Sequence, residues 1–184
     1  CQKKSKNIQP AFYHWKTQLA LQPGETAYLD QLGCQYLYVK FLDIARDDAG
    51  AIQPYSLLEV LDTAGLAGKT IIPCVFITNN VFQGISEKEL DWLAEKTVTA
   101  LGSVGAQFPK PVFEEIQFDC DWTATTREAF FSYLKKIRRL LPPQCRLSAT
   151  IRLHQYKFPD RTGTPPVDRG MLMLYNTGDI DDPM

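Results

Sequence analysis

Glu115-Ile116-Gln117-Phe118-Asp119-Cys120-Asp121-Trp122-Thr123 reads as a short buried strand that ends in two carboxylates. Alternate residues of a strand project the same way. Asp119 and Asp121 therefore share one face, and Phe118, Cys120 and Trp122 share the other. A helix is expected at once, from about Thr125 to Leu141. Thr125 and Glu128 have capping-box spacing, Phe130, Phe131, Leu134, Ile137 and Leu141 form its apolar stripe, and Pro142-Pro143 stop it. Acids at the C-terminal end of a strand that runs into a helix are the usual layout of an α/β active site.

Outward from this stretch the pattern alternates. Strands are expected at Ala11–Trp15, Tyr36–Ile44, Thr70–Thr78, Glu115–Trp122, Arg146–Leu153 and Gly170–Tyr175. Most are near-continuous apolar runs, as in parallel strands covered on both faces. Pro73 is awkward inside a ladder and points to a bulge or a strand start. Helices are expected over Glu25–Leu32, before Gly33, over Pro54–Ala64, and from Ser86, whose capping box closes on Glu89, through Leu101. Tyr156–Arg169, rich in proline, reads as a loop.

Alternation of this kind predicts an α/β fold with a parallel sheet. No glycine-rich phosphate loop follows the first strand, so a dinucleotide-binding fold is disfavoured. The alternative is a TIM-barrel-like (β/α)8 fold with about six strands present and the last two units missing or beyond the given chain.

The chain has 184 residues and a formal net charge of −1. That balance argues against electrostatic binding of nucleic acid. The basic run Lys135, Lys136, Arg138 and Arg139 reads as a solvated helix face. Cys34, Cys74, Cys120 and Cys145 form no metal-ligand spacing with one another or with His14 and His154, so buried thiols are expected and no metal or cofactor is. Cys1, followed by Gln-Lys-Lys-Ser-Lys-Asn, resembles the start of a mature bacterial lipoprotein. That resemblance implies a lipid on Cys1, a tether over residues 1–10, a barrel domain over 11–184, and a place on the membrane surface of the bacterial cell envelope.

The fourth and sixth strands resemble the family 18 glycoside hydrolases, the chitinase-like barrels, and also some uncharacterised bacterial families of the same layout. The family's fourth strand carries Asp-x-x-Asp-x-Asp-x-Glu. Asp119 and Asp121 stand at its second and third aspartates, and Trp122 at its frequent Trp. Ile116 replaces the first Asp, and Thr123 replaces the Glu that protonates the glycosidic oxygen. Threonine has no proton that titrates near neutrality, so the family's general acid is missing. Met173-Leu174-Tyr175-Asn176 stands where that family often ends its sixth strand in Met-x-Tyr-Asp.

The resemblance implies a glycan ligand. Asp121 is expected to face it, with Asp119 one pleat deeper, either supporting the chemistry or bonded to buried hydroxyls or to Lys40 or Arg152. Two close carboxylates raise one another's proton affinity. Tyr175, Asn176 and Trp15 are candidate sugar contacts, with core burial as the alternative for the aromatic rings. Trp122 is a further candidate substrate contact, lining the barrel mouth, with core packing as the alternative. Asp43, Asp47, Asp48, Asn79 and Asn80 belong on the same face. Three readings follow: a hydrolase using Asp121 with an acid from another position, a non-catalytic glycan-binding protein, and a lipid-anchored structural protein.

Overall fold

The computed structural model describes residues 9–110 and 113–174. Cys1, Tyr175 and Asn176 lie outside the described residues. The chain runs β1 (Ala11–His14), β2 (Gln18–Leu19), α1 (Pro23–Gln31), β3 (Tyr36–Arg46), β4 (Ile52–Leu57), β5 (Glu59–Val60) and β6 (Thr70–Ile77). It continues with α2 (Glu87–Gly105), β7 (Glu115–Asp119), α3 (Arg127–Leu140), β8 (Arg146–Arg152), the short helices α4 (Leu153–Lys157) and α5 (Pro159–Thr162), and β9 (Arg169–Met173).

Among the described residues, six strands are parallel and lie side by side in chain order, β1-β3-β6-β7-β8-β9. They form a curled sheet, part of a TIM-barrel-like architecture. All six correspond to expected strands. Pro73 is neither a strand start nor itself a bulge. It sits within β6 opposite Val39, and the register shift falls in β3, between Lys40 and Leu42.

Side-chain parity divides the two faces. Phe118, Cys120 and Trp122 are fully buried on the helix side, as alternation requires. There they join Val39, Phe41, Val75 and Ile77 from the sheet, Leu90, Leu93 and Leu101 from α2, and Phe130, Leu134 and Ile137 from α3. Each buried Phe or Leu contributes about 1.5–3 kcal/mol relative to exposure. The capping box of α2 forms as expected: Ser86 N donates to Glu89 Oε2 at 2.8 Å, and Glu89 N donates to Ser86 Oγ at 3.3 Å. The basic face of α3 is partly engaged, with Lys136 bridging Glu87 (2.9 Å) and Asp91 (2.5 Å) of α2.

The opposite, concave face is aromatic and polar. Tyr38, Ile72 and Cys74 pack there with Tyr36 and Met171. Tyr13 stacks on Tyr38 at 4.9 Å and donates its hydroxyl proton to Gln117 Oε1 at 2.7 Å. At the N-terminal end of the sheet the buried Glu115 lies 3.1 Å from Arg169 Nη1 and 3.6 Å from Arg146 Nε.

Two expectations are corrected. Pro54–Ala64 is not a helix. Residues 52–57 form β4, antiparallel to the upper half of β3, and 59–60 form β5, which pairs with β2. β1 pairs only as far as Val39, so β3 continues for several residues with one edge vacant, and β4 fills it. The turn between them is built by Asp47, whose Oδ1 accepts from Ala49 N and Ala51 N, and by Gly50 at φ +82°. The segment Tyr156–Arg169 is not all loop, because α4 and α5 cap the end of β8. Gly163 ends α5 at φ +74°, where an added Cβ would collide with Arg127 and Phe131 of α3.

Candidate functional site

The C-terminal ends of the parallel strands carry two adjoining clusters. The first is acidic. β7 and β8 pair with Gln117 opposite Ser148, which brings the next inward residues, Thr150 and Arg152, beside Asp119 and Asp121. Thr150 donates its hydroxyl proton to Asp119 Oδ1 at 2.5 Å. Arg152 Nη2 lies 3.4 Å from the same oxygen, and Arg152 Nε donates to Asp121 Oδ1. Asp119 is only 4 % exposed, whereas the side chain of Asp121 is 55 % exposed. Burial raises the proton affinity of Asp119 most. The Thr150 bond and Arg152 oppose that rise, Asp121 adds to it, and the net shift is upward.

Asp119 is therefore tied to a buried hydroxyl and a cation, and Arg152 rather than Lys40 supplies the charge. Lys40 is committed elsewhere, to Asp43 Oδ2 at 2.8 Å.

Thr123, which the sequence resemblance set at the position of a general acid, belongs to a turn. Its N–H donates to Thr126 Oγ1 at 3.0 Å, and its hydroxyl lies 2.9 Å from Thr125 Oγ1. Thr126 in turn donates to Asn79 Oδ1 at 2.6 Å, fastening the start of α3 to the loop after β6. This arrangement replaces the expected Thr125–Glu128 capping box: Thr126 is the N-cap, and Glu128 pairs with Arg127.

Trp122 is a core residue, so the expectation that it touches substrate is corrected. It is 0 % exposed, stacks on Phe130 at 5.3 Å, and donates its indole N–H to Thr162 O at 2.8 Å. The parity that sends Asp121 inward sends Trp122 to the helix side.

The second cluster is aromatic. Trp15, just beyond β1, is 40 % exposed. It meets Phe76 edge-on at 6.4 Å and Tyr13 at 5.7 Å, and Lys40 Nζ stands 5.7 Å from its ring centroid. Trp15, Phe76 and Lys40 line a cleft of about 590 Å³, completed by Asp43 on β3, by Asp47 and Asp48 just after it, and by Gln53 and Tyr55 on β4. That volume lies within the ordinary range for small-molecule sites, about 300–1,000 Å³. Lys40, Phe76, Gln53 and Tyr55 were not singled out as site residues from sequence. The turn-forming run Asp47-Asp48-Ala49-Gly50 before Ile52–Leu57 was the available signal for the hairpin that carries two of them.

Chemically, the acidic cluster offers hydrogen-bond acceptors held by an arginine, and the cleft offers ring faces. Among the described residues no group of His, Cys, Asp and Glu is arranged to hold a metal ion.

No protein-family model and no curated protein matches the chain. Among solved structures it resembles the spore cortex-lytic enzyme SleL of Bacillus cereus, with TM-score 0.52 and 20 % identity over 94 % of this chain and 44 % of SleL. A chitinase from Chromobacterium violaceum aligns with TM-score 0.48 and 16 % identity over 94 % of this chain and 57 % of its own. A GH18 chitinase from Pseudoalteromonas aurantia aligns with TM-score 0.48 and 13 % identity, over 91 % and 68 %. The chain thus spans less than half the length of SleL. The likeness is one of fold: a curled parallel α/β sheet, consistent with the partial TIM-barrel-like fold expected from the sequence.

Proposed function

We propose that the chain is a glycan-binding protein, and that sugar rings dock at the C-terminal end of its sheet. The observation that carries this reading is Trp15: an exposed indole, braced by Phe76 and Tyr13, facing a roomy cleft. Apolar faces of sugar rings stack on such indoles, and an aromatic contact of this kind contributes about 0.5–1.5 kcal/mol beyond its area. Binding is favoured over hydrolysis because the acid's position is Thr123, engaged in a turn, and Asp119 and Asp121 share Arg152.

Calorimetric titration with linear oligosaccharides tests the reading. Trp15→Ala should weaken binding roughly three- to tenfold. Unchanged affinity in that variant would overturn it. The exposure of Asp121 favours one other reading, hydrolysis with an acid from elsewhere. Product formation that Asp121→Asn abolishes would establish that reading instead.

Envelope attachment through a lipid on Cys1 is a separate proposal resting on sequence alone. Mass spectrometry of the protein from membrane fractions tests it, and an unmodified Cys1 there would dismiss it.

A further inference from the structure

The cleft has a wall that the sheet alone does not provide, and we infer that this wall selects the ligand: Tyr55 on the β3–β4 hairpin is a second ring platform, and the cleft takes neutral rather than acidic oligosaccharides. The inference rests on the glycan-binding reading and deepens it.

Tyr55 is 80 % exposed, although it lies within a paired strand and lines the same cleft as Trp15. A large ring left this open on an ordered element is poised for contact with something outside the fold. The strand that carries it is anchored. Arg46, at the end of β3, donates to Gly50 O (2.7 Å) within the hairpin, and to Asn80 O (3.0 Å), Val81 O (3.1 Å) and Gln83 O (3.3 Å) in the loop after β6. One guanidinium thus fastens the hairpin to the loop after β6. Asp47 adds three acceptor bonds inside the turn, from Ala49 N, Ala51 N and Gln53 Nε2. A ring held by such a frame loses little freedom when it meets a ligand, which is how preorganised platforms gain affinity. Trp15 at the floor and Tyr55 on the wall then serve two rings of one chain.

Charge narrows the ligand. Both cations lining the cleft are committed, Lys40 to Asp43 and Arg46 to its carbonyl oxygens. Asp47 and Asp48 are both exposed on the rim. The lining residues set Lys40 and Arg46 against Asp43, Asp47 and Asp48, a net charge of −1, so a carboxylated sugar is repelled.

The test is calorimetric titration of the full chain with cellotetraose, chitotetraose and tetragalacturonate, using wild type, Trp15→Ala, Tyr55→Ala, Tyr55→Phe and Arg46→Met. The inference expects binding of at least one neutral tetrasaccharide, at least tenfold tighter than tetragalacturonate. It expects a loss of roughly three- to tenfold in Tyr55→Ala, and near-full retention in Tyr55→Phe, which keeps the ring. Arg46→Met should weaken binding while hydrogen exchange accelerates across residues 50–57. Because Tyr55 is exposed, its variants should melt like wild type.

Binding that falls in Trp15→Ala but not in Tyr55→Ala would overturn the wall while leaving glycan binding intact. Preference for the galacturonate would overturn the charge selection alone. Binding of none of the three by the wild type would overturn both the wall and the reading beneath it.

Discussion

Arg152 donates from Nε to Asp121 Oδ1 while its Nη2 stands 3.4 Å from Asp119, so one cation spans both acids at the end of β7. Two carboxylates one pleat apart repel unless something positive lies between them. Replacing Arg152 with Met should leave the buried Asp119 with Thr150 alone and cost about 2 kcal/mol of stability, by the usual strength of a charged hydrogen bond. Urea denaturation at neutral pH checks this. A midpoint within error of wild type would mean that the bridge does not hold the strand ends.

Asp119 gives a pH signature. Burial first of all holds its carboxyl above the ordinary value of 3.8 despite Thr150 and Arg152. A group whose folded pKa exceeds its unfolded one stabilises the fold fully below the unfolded pKa, and loses that contribution as pH rises through the folded pKa. Asp119→Asn keeps the shape of the protonated acid and cannot ionise. Its melting temperature relative to wild type should therefore increase as pH is raised from about 3.8 upward through the carboxylate range. A difference that stays flat with pH would contradict the raised affinity.

Trp122 tests the division of faces. Trp122→Phe removes the donor to Thr162 O and trims a filled core, and should cost about 2–3 kcal/mol. Oligosaccharide affinity, measured by titration below the melting range, should not change. A loss of affinity with unchanged stability would return Trp122 to the ligand side.

Gly163 tests the seat of α5. A Cβ there would come within 2.7 Å of Arg127 Cδ and 2.8 Å of Phe131 Cε2, at a backbone φ of +74°. Gly163→Ala should destabilise by about 2 kcal/mol, from left-handed strain and crowding together. Thermal melting of the variant checks it.

Much of the scaffold was legible because local pattern and tertiary role agree. Phe118, Cys120 and Trp122 alternate with Asp119 and Asp121, and one burial rule separates them. Ser86 and Glu89 announce a helix start whatever lies nearby. The β3–β4 hairpin was not legible in the same way. Pro54, Leu57, Leu58 and Leu61 also fit a helical stripe, and the deciding factor is the edge of β3 that β1 leaves vacant above Val39. No local signal encodes that edge. The site divides similarly. Trp15 and the two aspartates were visible as residues at strand ends. Choosing Arg152 over Lys40 as the partner of Asp119 required the β7–β8 register, and Tyr55 entered the cleft only with its hairpin.

The strand order has a temporal consequence. Among the described residues, every parallel strand of the sheet lies beside the parallel strand of that sheet that precedes it in the chain, with no crossover that skips a position. Synthesis from the N-terminus therefore delivers each strand to an edge that already exists, and no strand must wait for a distant partner to be made. The platform around Trp15 and Tyr55 lies in the first half of this order, and the acids and Arg152 in the second. A ribosome-bound chain should thus assemble the aromatic wall before the acidic cluster has been translated.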